Sequence, residues 1–263
     1  MKKNCLLCFL LFFSCHSALA GESLDSLLNV LDKTIKEADT YVQIKENKLH
    51  ELKKEARKTP PFSVERYNLN NDIYLEYKAY SSDSALHYLN ENMLLARQLN
   101  DKERELKIQL ELSYLLSSIG MYMEAADILN SIDRQTLPSS LLGHYYTCYE
   151  HVYFEAGAAQ PRYKMFASRY VKLSHAYRDS MQITLDPSSA TYLWLRETQL
   201  REAGKYDEAL EFSDRRLAES SFGTPQYALV AYQRFRLFES MGKKDEHLYY
   251  LVLSAISDVR SAI

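Results

Sequence analysis

The sequence predicts an all-α fold, a helical-repeat solenoid of paired helices preceded by one long N-terminal helix, on three observations. Gly204-Lys205-Tyr206-Asp207-Glu208-Ala209 and Gly120-Met121-Tyr122-Met123-Glu124-Ala125 repeat one order of residue types between helix-like stretches. Only 7 glycines and 6 prolines occur, and no alternating β-branched run bounded by turn signals supports a sheet. Hydrophobic residues make up 46% of the 263-residue chain, enough for a continuous core and too many for a disordered segment.

Residues 1–20 read as an export signal: Lys2 and Lys3, an apolar run from Cys5 to Phe13, and the small-residue site Ala18-Leu19-Ala20. Cleavage before Gly21 and a periplasmic address follow from that pattern. An uncleaved anchor is the alternative, although the run falls short of the ~20 apolar residues that span a bilayer. Acylation of Cys15 as a lipoprotein is another, against which Phe12-Phe13-Ser14 is a poor match to the usual small and aliphatic residues. With the signal go Cys5, Cys8 and Cys15, so the exported domain keeps Cys148 alone and no internal disulfide forms. On an aromatic-rich helix, Cys148 reads as a buried small hydrophobe before it reads as a reactive thiol.

Residues 21–59 form a heptad-patterned helix. Leu24, Leu28, Leu31, Ile35, Ala38, Val42, Lys45, Leu49 and Leu52 follow in alternating steps of four and three, and Pro60-Pro61 ends the run. The 24–52 seam suits homodimerisation, or equally a cap over the first repeat, since an array must cover its terminal apolar face. The repeat domain takes residues 62–263. Its first pair is 64–79 with 84–99, where Tyr80 stands in the glycine's place and requires a turn built differently. The second pair, 103–119 with 123–132, carries Gly120, Tyr122 and Ala125 in the turn. The third and longer pair, 140–156 with 162–183, loses the turn pattern but carries Tyr145, Tyr149 and Tyr153 on one helix and Tyr163, Tyr170 and Tyr177 on the other. Such stripes form a packing seam, or alternatively a platform for stacking sugars. The fourth pair, 189–203 with 207–219, has Gly204, Tyr206 and Ala209 in the clearest turn. The fifth, 226–241 with 245–263, keeps Gly242 but has Lys244 and His247 for the tyrosine and alanine. With no stop signal after Asp245, the last helix is expected to run to Ile263 and to leave an uncovered apolar face, as in the front part of something longer or a chain that pairs with another.

The turn pattern resembles that of the tetratricopeptide repeat, whose roughly 34-residue units stack into a right-handed solenoid with a concave binding face. Glycine takes the left-handed conformation that ends one helix, tyrosine packs in the turn and alanine lets the next helix approach. Residues 24–28, 74–78 with 83–85, 96–101 and 255–262 further resemble a family of uncharacterised Bacteroidetes proteins with periplasmic tetratricopeptide arrays. In its longer members the resemblance implies a membrane helix, a coiled coil and a DNA-binding region after the array, hence a sensor and transcriptional regulator in one protein. No second apolar stretch of about 20 residues follows the signal here.

The net charge of −3, with acids and bases interspersed, leaves no basic stripe for nucleic acid. No phosphate-cradling glycine loop, nucleophile elbow or His-Glu-x-x-His pair occurs, so neither an enzyme nor a cofactor or metal site is expected. His144 and His151, seven residues apart, share a helix face without partners to complete a metal site. The expected ligand is a protein or peptide. In the repeat register, Lys107, Leu110, Tyr114 and Ser117 line the groove beside Thr191, Trp194, Thr198 and Arg201, with Tyr232 and Arg236 following. The opposing reading buries Trp194 and Tyr232 between helices. A carbohydrate-binding protein of the outer-membrane uptake kind is a second functional class, although its loop-rich insertions are missing, and a free periplasmic scaffold is a third.

Overall fold

The computed structural model describes residues 23–159 and 162–263, and among them twelve α-helices and no strand. The helices are α1 (Leu24–Lys36), α2 (Ala38–Lys58), α3 (Val64–Tyr77), α4 (Ser82–Gln98), α5 (Lys102–Ser118), α6 (Tyr122–Ser131), α7 (Ser139–Ala158), α8 (Lys164–Thr184), α9 (Ala190–Glu202), α10 (Tyr206–Ala218), α11 (Pro225–Ser240) and α12 (Lys244–Arg260). From α3 onward they pack as consecutive pairs, each pair against the next, in an all-α tetratricopeptide-like repeat. The expected export signal, with Cys5, Cys8 and Cys15, lies outside the described residues.

Two local devices build the array. Ser63, Asp101, Ser189 and Thr224 begin α3, α5, α9 and α11, each side chain accepting a hydrogen bond from the backbone N–H three residues on. The second helices α6, α10 and α12 have no such cap and follow a left-handed glycine instead. At Gly120 (φ 88°) and Gly204 (φ 73°) the chain reverses, and the next N–H, of Met121 or Lys205, reaches back 2.9 Å to the carbonyl of Leu116 or Leu200. Gly242 closes α11 in the same way. Ala125 and Ala209 are fully buried, so the helix after each turn approaches its partner as closely as the pattern predicts. Tyr122 and Tyr206 open the helices and are half-buried. In the first pair, where glycine is absent, Tyr80 and Ser81 both donate to the Tyr77 carbonyl at 2.8 Å without positive φ.

The N-terminal segment departs from expectation in two ways. It is two helices, broken at Glu37, and its buried line is Leu27, Thr34, Lys45, Leu49 and Ala56, while Leu28, Ile35 and Val42 of the predicted seam are exposed. The break lies where the segment passes from one surface to another. On α1, Leu27 joins Tyr227, Ala231, Val252, Leu253 and Ile256 in one cluster, so α1 lies on α12 and closes the core that α11 and α12 share. On α2, Leu49 and Ala56 join Tyr67, Ile73, Tyr74 and Tyr77 of α3, which is the cap over the first repeat. Lys45 ties the two ends together: its ammonium donates to the Ser261 carbonyl at 2.8 Å, at the C-terminal end of α12, and lies 5.2 Å from the Tyr80 ring centre. The apolar face of α12, expected to be uncovered, is therefore covered by α1. Nor does the helix run to Ile263. It ends at Arg260, with Ala262 left-handed (φ 55°) and the Ile263 N–H bonded to the Asp258 carbonyl at 3.0 Å. An alanine here takes the left-handed position that glycine holds after α5, α9 and α11.

Candidate functional site

The polar side chains of three successive first helices converge on Glu111. Its Oε2 accepts from the Tyr74 hydroxyl at 2.6 Å and from Lys78 Nζ at 3.0 Å, both on α3. Its Oε1 faces His144 Nε2 of α7 at 3.6 Å. One turn further along α5, Tyr114 lies flat on the His151 ring, with centroids 4.0 Å apart, and Lys78 Nζ sits 4.7 Å from the centre of the tyrosine's ring. Ser118 Oγ meets His151 Nε2 at 2.9 Å. The helical step explains the grouping: 107, 111, 114 and 118 on α5, and 144, 148 and 151 on α7, each recur on one side.

Burial sets the electrostatics. It pushes the Glu111 carboxyl up, but Lys78, His144 and the hydrogen bonds from Tyr74 and Lys78 outweigh it and hold the pKa below the ordinary carboxylate value. Burial lowers His144, against the pull of Glu111, and lowers His151 to about 4, so both rings are uncharged at neutral pH. The Tyr114 hydroxyl is pushed up to about 12 by burial, and that of Tyr74 rises as well. Behind the cluster Cys148 is fully buried, its thiol 3.4 Å from the Leu110 carbonyl and its pKa raised by burial, as expected of a packing cysteine. The arrangement holds one fixed cation, Lys78, ion-paired with the Glu111 carboxylate and flanked by the Tyr74 and Tyr114 rings, with N–H donors to spare beyond the one on Glu111. Exposed Lys107, near enough to act on His144, adds a second. That chemistry suits a carboxylate held against aromatic surface. Among the described residues no group of three or more His, Cys, Asp or Glu side chains is placed to hold a metal.

Of the expected groove residues, Lys107 is exposed and Tyr114 half-buried within this cluster, whereas Leu110, Ser117 and Thr198 are enclosed between helices and present no surface. The register on α5 is rotated by one position, so that Glu111 and Ser118 stand where Leu110 and Ser117 were expected. Trp194 is half-buried against the core shared by α5 to α9, with the Arg178 guanidinium 6.0 Å from its ring. Thr191 and Arg201 are half-buried on the same helix, α9. Tyr232 is exposed on α11 rather than buried between helices, and Arg236 pairs with Glu239 on its own helix at 3.2 Å. The structure does not gather these last residues around Glu111. Sequence reasoning missed Tyr74, Lys78, Glu111 and Ser118; the only signal for them was the spacing of His144 and His151 on one face.

The tyrosine stripes meet as a packing seam. Tyr149 stacks on Tyr177 with centroids 4.6 Å apart, and Tyr153 lies against both Tyr170 and Tyr177. Tyr163 is the exception, 65% exposed, which takes it out of the expected stripe. A shallow depression of about 360 Å³ lies between α4, α5 and α6, lined by Met93, Leu94, Arg97, Leu112 and Ile128 among others. Asn90 and Gln109 add polar side chains beside Arg97, and it shares no residue with the Glu111 cluster.

No described helix is long and apolar enough to cross a membrane. A search among curated proteins finds no match to the chain. The family described as the SusR N-terminal TPR domain matches residues 35–263, a region that begins inside α1 and takes in all of α2.

Proposed function

The chain belongs to the family of SusR N-terminal TPR domains, and on that premise we propose that it is the exported, periplasmic sensor part of a membrane-bound transcriptional regulator, taking an acidic peptide or protein segment at Glu111. The coarser assignment, a sensor or protein-interaction module of a regulator family, comes with the family itself. Tetratricopeptide domains are generally interaction modules without catalysis. The observation that carries the reading of the site is the meeting of Lys78, Glu111, Tyr114, His144 and His151 across α3, α5 and α7, largely buried with an edge left to solvent and held by hydrogen bonds. A cation flanked by tyrosine rings favours an anionic side chain. The tyrosines that recommended a sugar platform stack on one another, which weakens the carbohydrate-binding reading.

Panning a displayed random-peptide library against the protein tests the site. The expected result is enrichment of peptides rich in Asp and Glu, with affinity about tenfold lower for Lys107→Ala, an exposed position whose loss leaves the fold intact. Failure to enrich any peptide, together with retention on a soluble glycan array, would move the protein to the carbohydrate-binding class.

A further inference from the structure

The α7–α8 hairpin combines unpaired positive charge with exposed apolar side chains around the start of α8. Between Glu155 and Asp179 the chain has no acidic residue, while Arg162, Lys164, Arg169 and Lys172 all fall in that interval, in a protein whose net charge is −3. All four are exposed, and the ion pairs of α8 among the described residues belong to His175 and Arg178 instead. Between them Tyr163, Met165, Phe166 and Val171 are also exposed, Met165 at 75%, and Phe154 of α7 adds a fifth large apolar side chain. Met165, Arg169 and Lys172 stand at i, i+4 and i+7, so one outward strip of the helix presents a methionine followed by two cations. The support beneath is firm: Gly157 brings α7 so close to α8 that a Cβ there would lie 3.3 Å from the Tyr170 Cβ.

We propose that this hairpin end seats the protein on an anionic phospholipid surface. Cations that carry no internal partner, with exposed aromatic, methionine and valine side chains among them, match a layer of phosphate headgroups over acyl chains. Phosphate alone would explain the cations; the apolar side chains are what a bilayer adds and a nucleic-acid backbone does not. The overall charge pattern conceals the feature, because acids elsewhere in the chain cancel it.

Co-sedimentation of the full chain with phosphatidylcholine vesicles, with and without phosphatidylglycerol, tests the proposal. Binding is expected to the mixed vesicles and not to phosphatidylcholine alone, and to weaken as salt screens the headgroups. Neutralising one cation is expected to cost about fivefold in affinity, and Lys164→Gln, Arg169→Gln and Lys172→Gln together about a hundredfold. Met165→Ser with Phe166→Ser should weaken binding without altering its dependence on salt. All five positions are exposed, and an unchanged thermal unfolding curve verifies that the variants fold. Equal sedimentation with both vesicle types, undiminished binding of the triple variant, or retention of duplex DNA with no vesicle binding would each overturn the proposal.

Discussion

His151 spends its ring on Tyr114 and Ser118, and the consequence is a stability that depends on pH. Burial holds its pKa at about 4, while the unfolded chain takes up that proton below about pH 6.5. The folded state thus binds fewer protons across that window, and the stability present at neutral pH is lost as pH falls from about 6.5 through 4, by up to roughly 3 kcal/mol. Glu111 acts in the same sense at lower pH, since its folded pKa also lies below the unfolded value. We expect His151→Phe, which keeps a ring on Tyr114, to flatten the fall in melting temperature between about pH 7 and 4.5; an unchanged slope would remove His151 from the account. None of this was legible from residue types. His144 and His151 stood out by spacing, but Glu111 is one of 35 acids, and only the approach of α3 and α7 to α5 distinguishes it.

Between elements, a buried charge ties α8 to both of its neighbours. Arg178, 4% exposed, donates to Glu150 of α7 at 2.8 Å and to Glu202 of α9 at 2.9 Å, and Ser174 adds a bond to Glu150. Removing one partner leaves a buried carboxylate without its cation, so Arg178→Leu is expected to cost about 3–5 kcal/mol in denaturant unfolding. Pairing it with Glu150→Leu should recover much of the loss, because two apolar groups replace the pair. A cost under about 1 kcal/mol for the single variant would mean that packing, not charge, holds α8 in place. From α3 to α12 the helices were readable in advance to within a few residues at each end. The glycine turns and serine, aspartate or threonine caps act within a few residues of themselves and so leave their mark in the sequence. The exceptions are instructive: Ala262 ends α12 in a conformation costly for any side chain, and nothing local announces it.

Across the whole molecule, the N-terminal segment joins the two ends of the array. Leu27, 2% exposed, packs on residues more than 190 positions away in sequence, among them Tyr227 and Ile256. Leu27→Ala is expected to cost about 2–4 kcal/mol, with faster amide exchange concentrated in α11 and α12 and α3 and α4 unaffected. Acceleration confined to α1 would show that the last pair stands without it. The sequence by itself determined the all-α class, the helix pairs and the turns that reverse them, because hydrophobic period and left-handed glycine act over one or two helical turns. Tertiary structure alone decided that the heptad segment divides at Glu37, that the buried line of its first part passes through Leu27 and Thr34 rather than Leu28 and Ile35, and that polar groups from α3, α5 and α7 meet at Glu111. A helix's apolar period says that one side will be buried, and a rotation of a single residue is within its tolerance. Which surface buries it is set by chain segments that the period does not contain.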